Sequence, residues 1–507
     1  MKTYEDIAVI PAPKKLRRLT GEFVLTSGTR ILTEPGNEAL AAIGLRLAAR
    51  LNTATGFETV SDTSSQPEAP KGTIFLTTRK DKQFGGEEGY TIEALPRAIT
   101  VEAETPAGIA HAVQTLRQLL PAEIESSKPV DRGTPWTIPA VRIKDAPRFV
   151  WRGLLMDSCR HFAGKDFLYK TLDLLAYHKI NRFHWHLTDD QGWRIEIYKY
   201  PKLTKVGAYR TDEDGRRYGG FYTKEDIKSV VRYAAARGIM VVPEIEMPGH
   251  CVAALAAYPE LSCTGKPIPV ATRWGVFDDI YCAGNDRVFE YLEDVLTEVA
   301  ELFPSPYIHI GGDEVPPTRW RECARCRARV EQEGLGGAGD LLCYFINRVD
   351  KILAALGKKT IGWDEVACDD LAASATVQVW RGMEHAATAA RLGHNVIVSP
   401  TTNAYFDYPL EKIDLERAYE FEPMPDIIPR RARSRIIGGE CTMWTEHAPR
   451  DVIESKLFPR IAAFAERLWS PDKIGYEDFH RRLQTHYKRL DLLNVDYGPE
   501  SGTKETP

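Results

Sequence analysis

A (β/α)8 TIM barrel preceded by a small α+β N-terminal domain is the α/β fold that this 507-residue sequence predicts. Three observations carry the prediction. Eight strand patterns recur from Val150 onward, with helical patterns between most of them, over a length typical of such barrels with insertions. Charged and aromatic residues gather just past the C-terminal ends of those strands, where barrel enzymes hold their chemistry. Nine of the ten tryptophans and all nine cysteines lie at or beyond Trp151, so the two parts of the chain differ in kind. The junction falls near Lys144-Asp145-Ala146-Pro147, which predicts domains at 1–146 and 147–475 and a helical tail at 476–507.

In the first domain, Glu22–Leu25, Gly72–Thr78, Gly89–Ala94 and Ala98–Ala103 read as strands. Asn37–Leu51 and Thr105–Leu120 carry apolar residues at helical spacing, and Pro106 suits the first turn of the second helix. Nothing there looks catalytic. In the second, the strand candidates are Val150–Met156, Arg182–His186, Ile239–Glu246, Tyr307–Ile310, Thr360–Trp363, Thr376–Trp380, Asn395–Ser399 and Arg435–Glu440. Helical patterns include Lys165–His178, Thr223–Arg237, Asp286–Leu302, Asp340–Leu356, Glu384–Leu392 and Val452–Leu468. A doubly wound open sheet is the alternative topology. No GxGxxG follows any strand, so nucleotide binding has no support.

Composition removes several function classes. With 66 basic and 71 acidic residues the chain has no electrostatic footprint for nucleic acid. No apolar run reaches the roughly 18 residues of a membrane span. Met1–Lys15 has no apolar h-region, so the compartment stays open: cytoplasmic, or periplasmic or secreted if a leader was removed. Cys323-Ala-Arg-Cys326 is a lone CxxC with no second pair at zinc-ribbon spacing, and reads as an incidental helical or loop pair. Cys263 and Cys282 flank a loop that a disulfide could close in an oxidising compartment.

The strand ends carry Asp157-Ser-Cys-Arg160-His161, His184-Trp-His186-Leu-Thr-Asp189-Asp190, Glu244-Ile-Glu246-Met-Pro-Gly-His250 and His309-Ile-Gly-Gly-Asp313-Glu314. The later ones carry Trp363-Asp364-Glu365, Trp380-Arg381, Asn403-Ala-Tyr405-Phe-Asp407 and Trp444-Thr-Glu446-His447. Three tryptophans at equivalent ends, each beside charge, point to an aromatic-walled pocket. His184 and His186 share one strand face, which admits a metal reading, but later strands offer carboxylates and Trp rather than further imidazoles. Glu244 and Glu246 also share a face and read as structural hydrogen-bond partners. Asp313-Glu314 is the sharpest feature. Adjacent residues can both face a substrate only where a strand gives way to loop, and Gly311-Gly312 suits that break. Close carboxylates repel, which raises the pKa of one and sets a protonated acid beside an ionised partner. Chain neighbours cannot easily flank a glycosidic bond at the roughly 5–5.5 Å of a usual retaining pair. That points to a substrate that supplies its own nucleophile.

These motifs, with Pro243-Glu-Ile-Glu-Met-Pro-Gly-His and Gly362-Trp-Asp-Glu, resemble glycoside hydrolase family 20, the β-N-acetylhexosaminidases, over about Pro147 to Trp469. The resemblance implies an exo-acting retaining glycosidase for terminal β-linked GlcNAc, and GalNAc too, working through an oxazolinium intermediate. It implies Glu314 as acid and then base, and Asp313 as the carboxylate that holds the acetamido N–H. It implies Tyr405 on the acetamido oxygen and Trp363, Trp380 and Trp444 as a box around the methyl and the sugar face. Arg160, Asp407 and Glu446 would take ring hydroxyls, while Asp189 and His250 would orient Glu314. The implied partner is an N-acetylhexosamine-terminated oligosaccharide or glycoconjugate, with no metal and no cofactor.

Overall fold

Two sheets organise the chain, the first a mixed, seven-stranded one. The computed structural model describes residues 7–502, apart from 81–83, 131–132, 213–214 and 472–473. Its strands are β1 (Lys15–Val24), β2 (Arg30–Thr33), β3 (Val60–Thr63), β4 (Thr73–Thr78), β5 (Tyr90–Leu95), β6 (Ala98–Ala103) and β7 (Thr137–Asp145). They lie in the order β1-β7-β5-β6-β4-β2-β3. Helices α1 (Glu38–Thr55) and α2 (Pro106–Leu119) pack on it through Leu47, Leu51, Ile109 and Leu116. Both helices start on a cap: Asn37 accepts from the Leu40 N–H and Thr105 from the Ala107 N–H, with Pro106 next, where its missing donor is harmless. The strand patterns missed β2, β3 and β7. Two are only four residues long, and β7 contains Pro139, which pairs with Glu22 beside an irregularity in β1.

The eight strands expected beyond residue 149 all form and close into a parallel barrel. They are β8 (Trp151–Asp157), β9 (Arg182–His186), β10 (Met240–Glu244), β11 (Tyr307–His309), β12 (Lys359–Trp363), β13 (Thr376–Val379), β14 (Asn395–Val398) and β15 (Ile436–Met443). Side chains alternate across each strand. On β9, Phe183 and Trp185 join the hydrophobic layer, while His184 and His186 meet Glu244 inside. The pattern Val452–Leu468 forms two helices rather than one, Ile453–Leu457 and Arg460–Trp469. Pro459 interrupts them because it has no N–H for the helical ladder.

Buried charge joins the sheet to the barrel. Arg152 on β8 makes a two-pronged contact with Glu88 at 2.8 and 2.9 Å, and Asp145 accepts from Tyr90, Lys179 and Trp469. The C-terminal helix Tyr476–Leu492 fastens both: Arg482 binds Glu466 and the Val9 carbonyl, and Arg489 binds the carbonyls of Ala8 and Gln118. Cys263 and Cys282 are not joined to each other. The disulfide lies elsewhere, between Cys343 and Cys368. No helix among the described residues is long and apolar enough to cross a membrane.

Candidate active site

All eleven residues to which the family resemblance gives a role line one pocket of about 300 Å³ at the C-terminal rim of the barrel. That size sits at the lower end of small-molecule pockets, about 300–1,000 Å³. Asp313 and Glu314 follow β11, which ends at His309. Gly311 (φ 66°) and Gly312 (φ 92°) then adopt the left-handed backbone that turns both carboxylates toward the pocket. A Cβ on Gly311 would sit 1.6 Å from Glu246 Oε2. Gly311→Ala is therefore expected to cost at least about 1–3 kcal/mol in backbone strain alone. A lower Tm and a reduced kcat would be measured together; an unchanged Tm would show that this turn is not under such constraint. Glu314 itself sits at φ 48° and His250 at φ 47°, conformations that non-glycine residues rarely adopt and that concentrate at functional sites.

His250 links the two carboxylates. Its Nε2 lies 3.6 Å from Asp313 Oδ2 and 3.4 Å from Glu314 Oε2. Its Nδ1 faces Asp190 at 3.2 Å and Asp189 at 3.4 Å. Burial opposes charge on His250, but Asp189 and Asp313 overcome it and hold the imidazolium well above the usual histidine range. Glu314 is lowered in turn by the neighbouring His250 imidazolium, 3.4 Å away. Asp313 is pushed up to about 6, chiefly by burial, with Glu244 and Glu314 repelling it and His250 attracting it. The carboxylates are thus split, as their proximity predicts, but within this cluster the proton favours Asp313 rather than Glu314. Asp313 Oδ1 is buried and has no hydrogen-bond partner among the described residues.

Arg160 shares Asp189 with His250. It reaches Asp189 at 2.8 Å, Asp157 at 3.3 Å and Glu446 at 3.5 Å, and its guanidinium lies 5.3 Å from the centre of the Trp444 ring. Asp189 stays ionised although burial raises it, because Arg160 and His250 hold it down. Asp407 is pushed up to about 7 by burial and by Glu446, and its Oδ1 is also buried without a partner among the described residues. Aromatic rings wall the pocket. Trp363 and Trp444 lie 5.9 Å apart, and Trp380 and Tyr405 6.4 Å apart. Trp363 is fixed by donating to Glu244 Oε1 (3.0 Å), and Trp380 by donating to Glu365 Oε2 (3.1 Å).

The metal reading of His184 and His186 meets a different arrangement. His184 Nδ1 lies 2.7 Å from Glu440 and its Nε2 3.2 Å from Glu244; His186 contacts Glu244 and Asp189. Burial disfavours charge on His184, yet Glu244 and Glu440 raise it to about 9. These imidazoles are cations in a buried ionic floor beneath the pocket, which they do not line. Glu244 is structural, as its place in the sequence suggested. Glu246 lines the pocket and is held neutral, well above the usual range, by burial and by Asp313. Trp274 and Tyr408 line it too and were not singled out; His447 was noted at the rim without a role. Trp274 comes from the long loop after β10, where no periodicity marks it.

A barrel with paired carboxylates, aromatic walls and unsatisfied acceptors at its C-terminal rim defines a glycoside hydrolase. Comparison with known proteins agrees. The family description "Glycosyl hydrolase family 20, catalytic domain" matches residues 149–472, and "Glycosyl hydrolase family 20, domain 2" matches residues 6–146. The chain belongs to glycosyl hydrolase family 20 and is an enzyme of the β-hexosaminidase type. It is 40% identical to a beta-hexosaminidase of Porphyromonas gingivalis over 97% of its own length, and spans 64% of that relative. It is 34% identical to a beta-N-acetylhexosaminidase of Cellulomonas fimi, covering 95% of this chain and 94% of the relative. A mutant Streptomyces plicatus beta-hexosaminidase solved with its product GlcNAc superposes with a TM-score of 0.87 at 33% identity, over 98% of each chain.

Proposed function

We propose that the chain removes terminal, non-reducing β-linked N-acetylhexosamine from glycans, with the substrate's acetamido oxygen as nucleophile. The carrying observation is that Asp313 and Glu314 approach the same nitrogen of His250, so they stand on one side of the pocket and cannot flank a glycosidic bond. Asp407, at about 7, is a poor nucleophile in mild acid, and Glu446 is engaged by Arg160. Glu246, the remaining carboxyl among the described residues of the pocket wall, is held neutral. The substrate then brings its own oxygen.

In this reading the acetamido N–H donates to the unpartnered Oδ1 of Asp313. That bond favours the ionised carboxylate and turns the carbonyl oxygen toward the anomeric carbon, while Tyr405 donates to that oxygen. The glycosidic bond from the anomeric carbon to the leaving oxygen breaks as the acetamido oxygen bonds to that carbon. The proton displaced from Asp313 is taken up by Glu314, whose carboxyl is desolvated once the leaving sugar covers it, and Glu314 delivers it to the departing oxygen. Water, deprotonated by Glu314, then opens the oxazolinium from the face the leaving group vacated, so configuration is retained. Trp363, Trp380 and Trp444 exclude water and stack on the sugar; Arg160, Asp407 and Glu446 accept and donate to its hydroxyls.

A panel of linkage-defined oligosaccharides ending in GlcNAc or GalNAc, with matched glucosides, tests the reading. N-acetylated termini are expected to be cleaved with retention, and glucosides at least about 10²-fold more slowly, since the intramolecular nucleophile is gone. Glucosides hydrolysed as fast as N-acetylglucosaminides would sink substrate assistance.

A further inference from the structure

Four of the seven free cysteines converge at one point outside the sugar pocket. Cys263 and Cys282 bracket the long loop after β10, joined at its base by a bridge between Ser262 and Tyr281. Cys323 precedes the helix Ala324–Glu333 and Cys326 lies in its first turn. The separation of three residues points both sulfurs to one side of the helix start. The Sγ atoms of Cys263 and Cys326 are 3.8 Å apart, those of Cys282 and Cys323 3.8 Å, and those of Cys282 and Cys326 3.6 Å. All four lie within 4.8 Å of one another.

Those distances have a specific chemical meaning. A disulfide needs about 2.05 Å, and no pair among the four forms one. Four thiolates at about 2.3 Å from one tetrahedral ion lie about 3.8 Å from each other, which matches the three distances above. We infer that Cys263, Cys282, Cys323 and Cys326 form a tetrathiolate site for a structural Zn2+ ion.

Two further features fit that chemistry. The two sulfur-bearing segments approach so closely that a Cβ on Gly284 would lie 2.2 Å from the carbonyl carbon of Arg325, so glycine is required where they meet. Arg325, between the two cysteines of the CxxC, donates to the carbonyls of Ser262 (3.0 Å) and Cys263 (3.4 Å). It thereby sets a cation beside a cluster that carries two net negative charges once zinc has displaced the four thiol protons to solvent. Four sulfur ligands leave no open position, so the ion would take no part in catalysis, and soft thiolates select zinc over magnesium or calcium. The incidental reading of Cys323 and Cys326 gives way to this one.

The site has a structural task. The 264–281 loop carries Trp274 to the pocket wall, and its backbone binds the pocket floor: Gln191 donates to the Arg273 carbonyl at 2.9 Å and the Ala271 N–H to the Asp190 carbonyl at 3.2 Å. The other two ligands terminate the segment that follows Glu314, which also meets the loop where Trp320 donates to the Tyr281 carbonyl and Arg319 pairs with Asp279. The ion would fasten the loop bearing Trp274 to the segment bearing the proton donor.

Elemental analysis of the full-length chain, purified without chelator or added metal, tests this directly. About one zinc per chain is expected, released in step with titration of four thiols by a mercurial. Cys326→Ser is expected to lose most of that zinc and to be cut faster by protease within 264–281, while Cys441→Ala, which removes a buried thiol elsewhere, keeps it. Should Cys326→Ser fail to fold, exchange of the wild-type ion for Co2+ gives a second readout, the visible bands of a tetrahedral cobalt tetrathiolate. A soluble chain with seven titratable thiols and no metal would overturn the assignment, as would a Cys263–Cys282 disulfide found by peptide mass, or iron in place of zinc.

Discussion

Glu314→Gln is expected to lower kcat on an oligosaccharide with an unactivated sugar leaving group by about 10²–10⁴-fold, the usual worth of a positioned general acid. That loss corresponds to roughly 3–5.5 kcal/mol of transition-state stabilisation. Glutamine keeps the shape and an acceptor oxygen near His250 Nε2, which lies 3.4 Å from Glu314, so binding should change far less than turnover. The leaving group supplies an internal control. An aryl glycoside with an acidic phenol needs no proton to depart, so formation of the oxazolinium should be nearly spared. Its hydrolysis, which needs Glu314 as base, then becomes the slow step and a burst of phenol appears. Near-normal steady-state turnover of the oligosaccharide by Glu314→Gln would remove Glu314 from the acid role.

Much of this site was legible from sequence because barrel chemistry collects at strand ends. Once eight strands were located, Arg160, Asp189, His250, Asp313, Trp363, Trp380, Tyr405 and Trp444 had to fall on one rim, and they do. Gly311-Gly312 announced the turn, since only glycine is comfortable at φ 66° and 92°. What stayed hidden depends on contacts distant in the chain. Trp274 reaches the pocket from a loop with no periodic pattern. Cys263 and Cys282 meet Cys323 and Cys326 only after the chain has crossed the helix Asp286–Leu302 and β11, and the spacing within each pair says nothing of the other. The four-residue strands β2 and β3 are too short for alternation to show. The protonation order was also beyond sequence, because it turns on His250 standing against both carboxylates with Asp189 and Asp190 behind it.

Asp313→Asn is expected to slow turnover by about 10²–10³-fold, the usual effect of removing one group aimed at charge that develops in the transition state. The oxazolinium is a cation, and the neutral amide withdraws the negative charge that would stabilise it. Asparagine also has one acceptor oxygen for two donors, the acetamido N–H and the protonated His250, so its NH2 must face one of them. A rate loss alone would fit mere misfolding, so the pH profile is the sharper readout. Productive catalysis needs one proton on the Asp313–Glu314 pair, and it must reside on Glu314 when the bond breaks. In the free enzyme that proton resides on Asp313, which burial holds at about 6, while His250 keeps Glu314 below the ordinary carboxylate range. For the wild type, kcat/KM therefore falls tenfold per pH unit above about 6, as the pair loses its single proton. His250, held protonated well above its usual range, adds no limb there. The kcat limb lies higher than the kcat/KM limb, because the bound leaving sugar desolvates Glu314 and raises it. With asparagine at 313 the pair's only remaining proton site is Glu314, already lowered by His250 and now relieved of a repelling neighbour. The kcat/KM limb must then move to lower pH. A limb that stays near 6 in Asp313→Asn would mean that Asp313 does not hold the proton, and the transfer from Asp313 to Glu314 on substrate binding would fall with it.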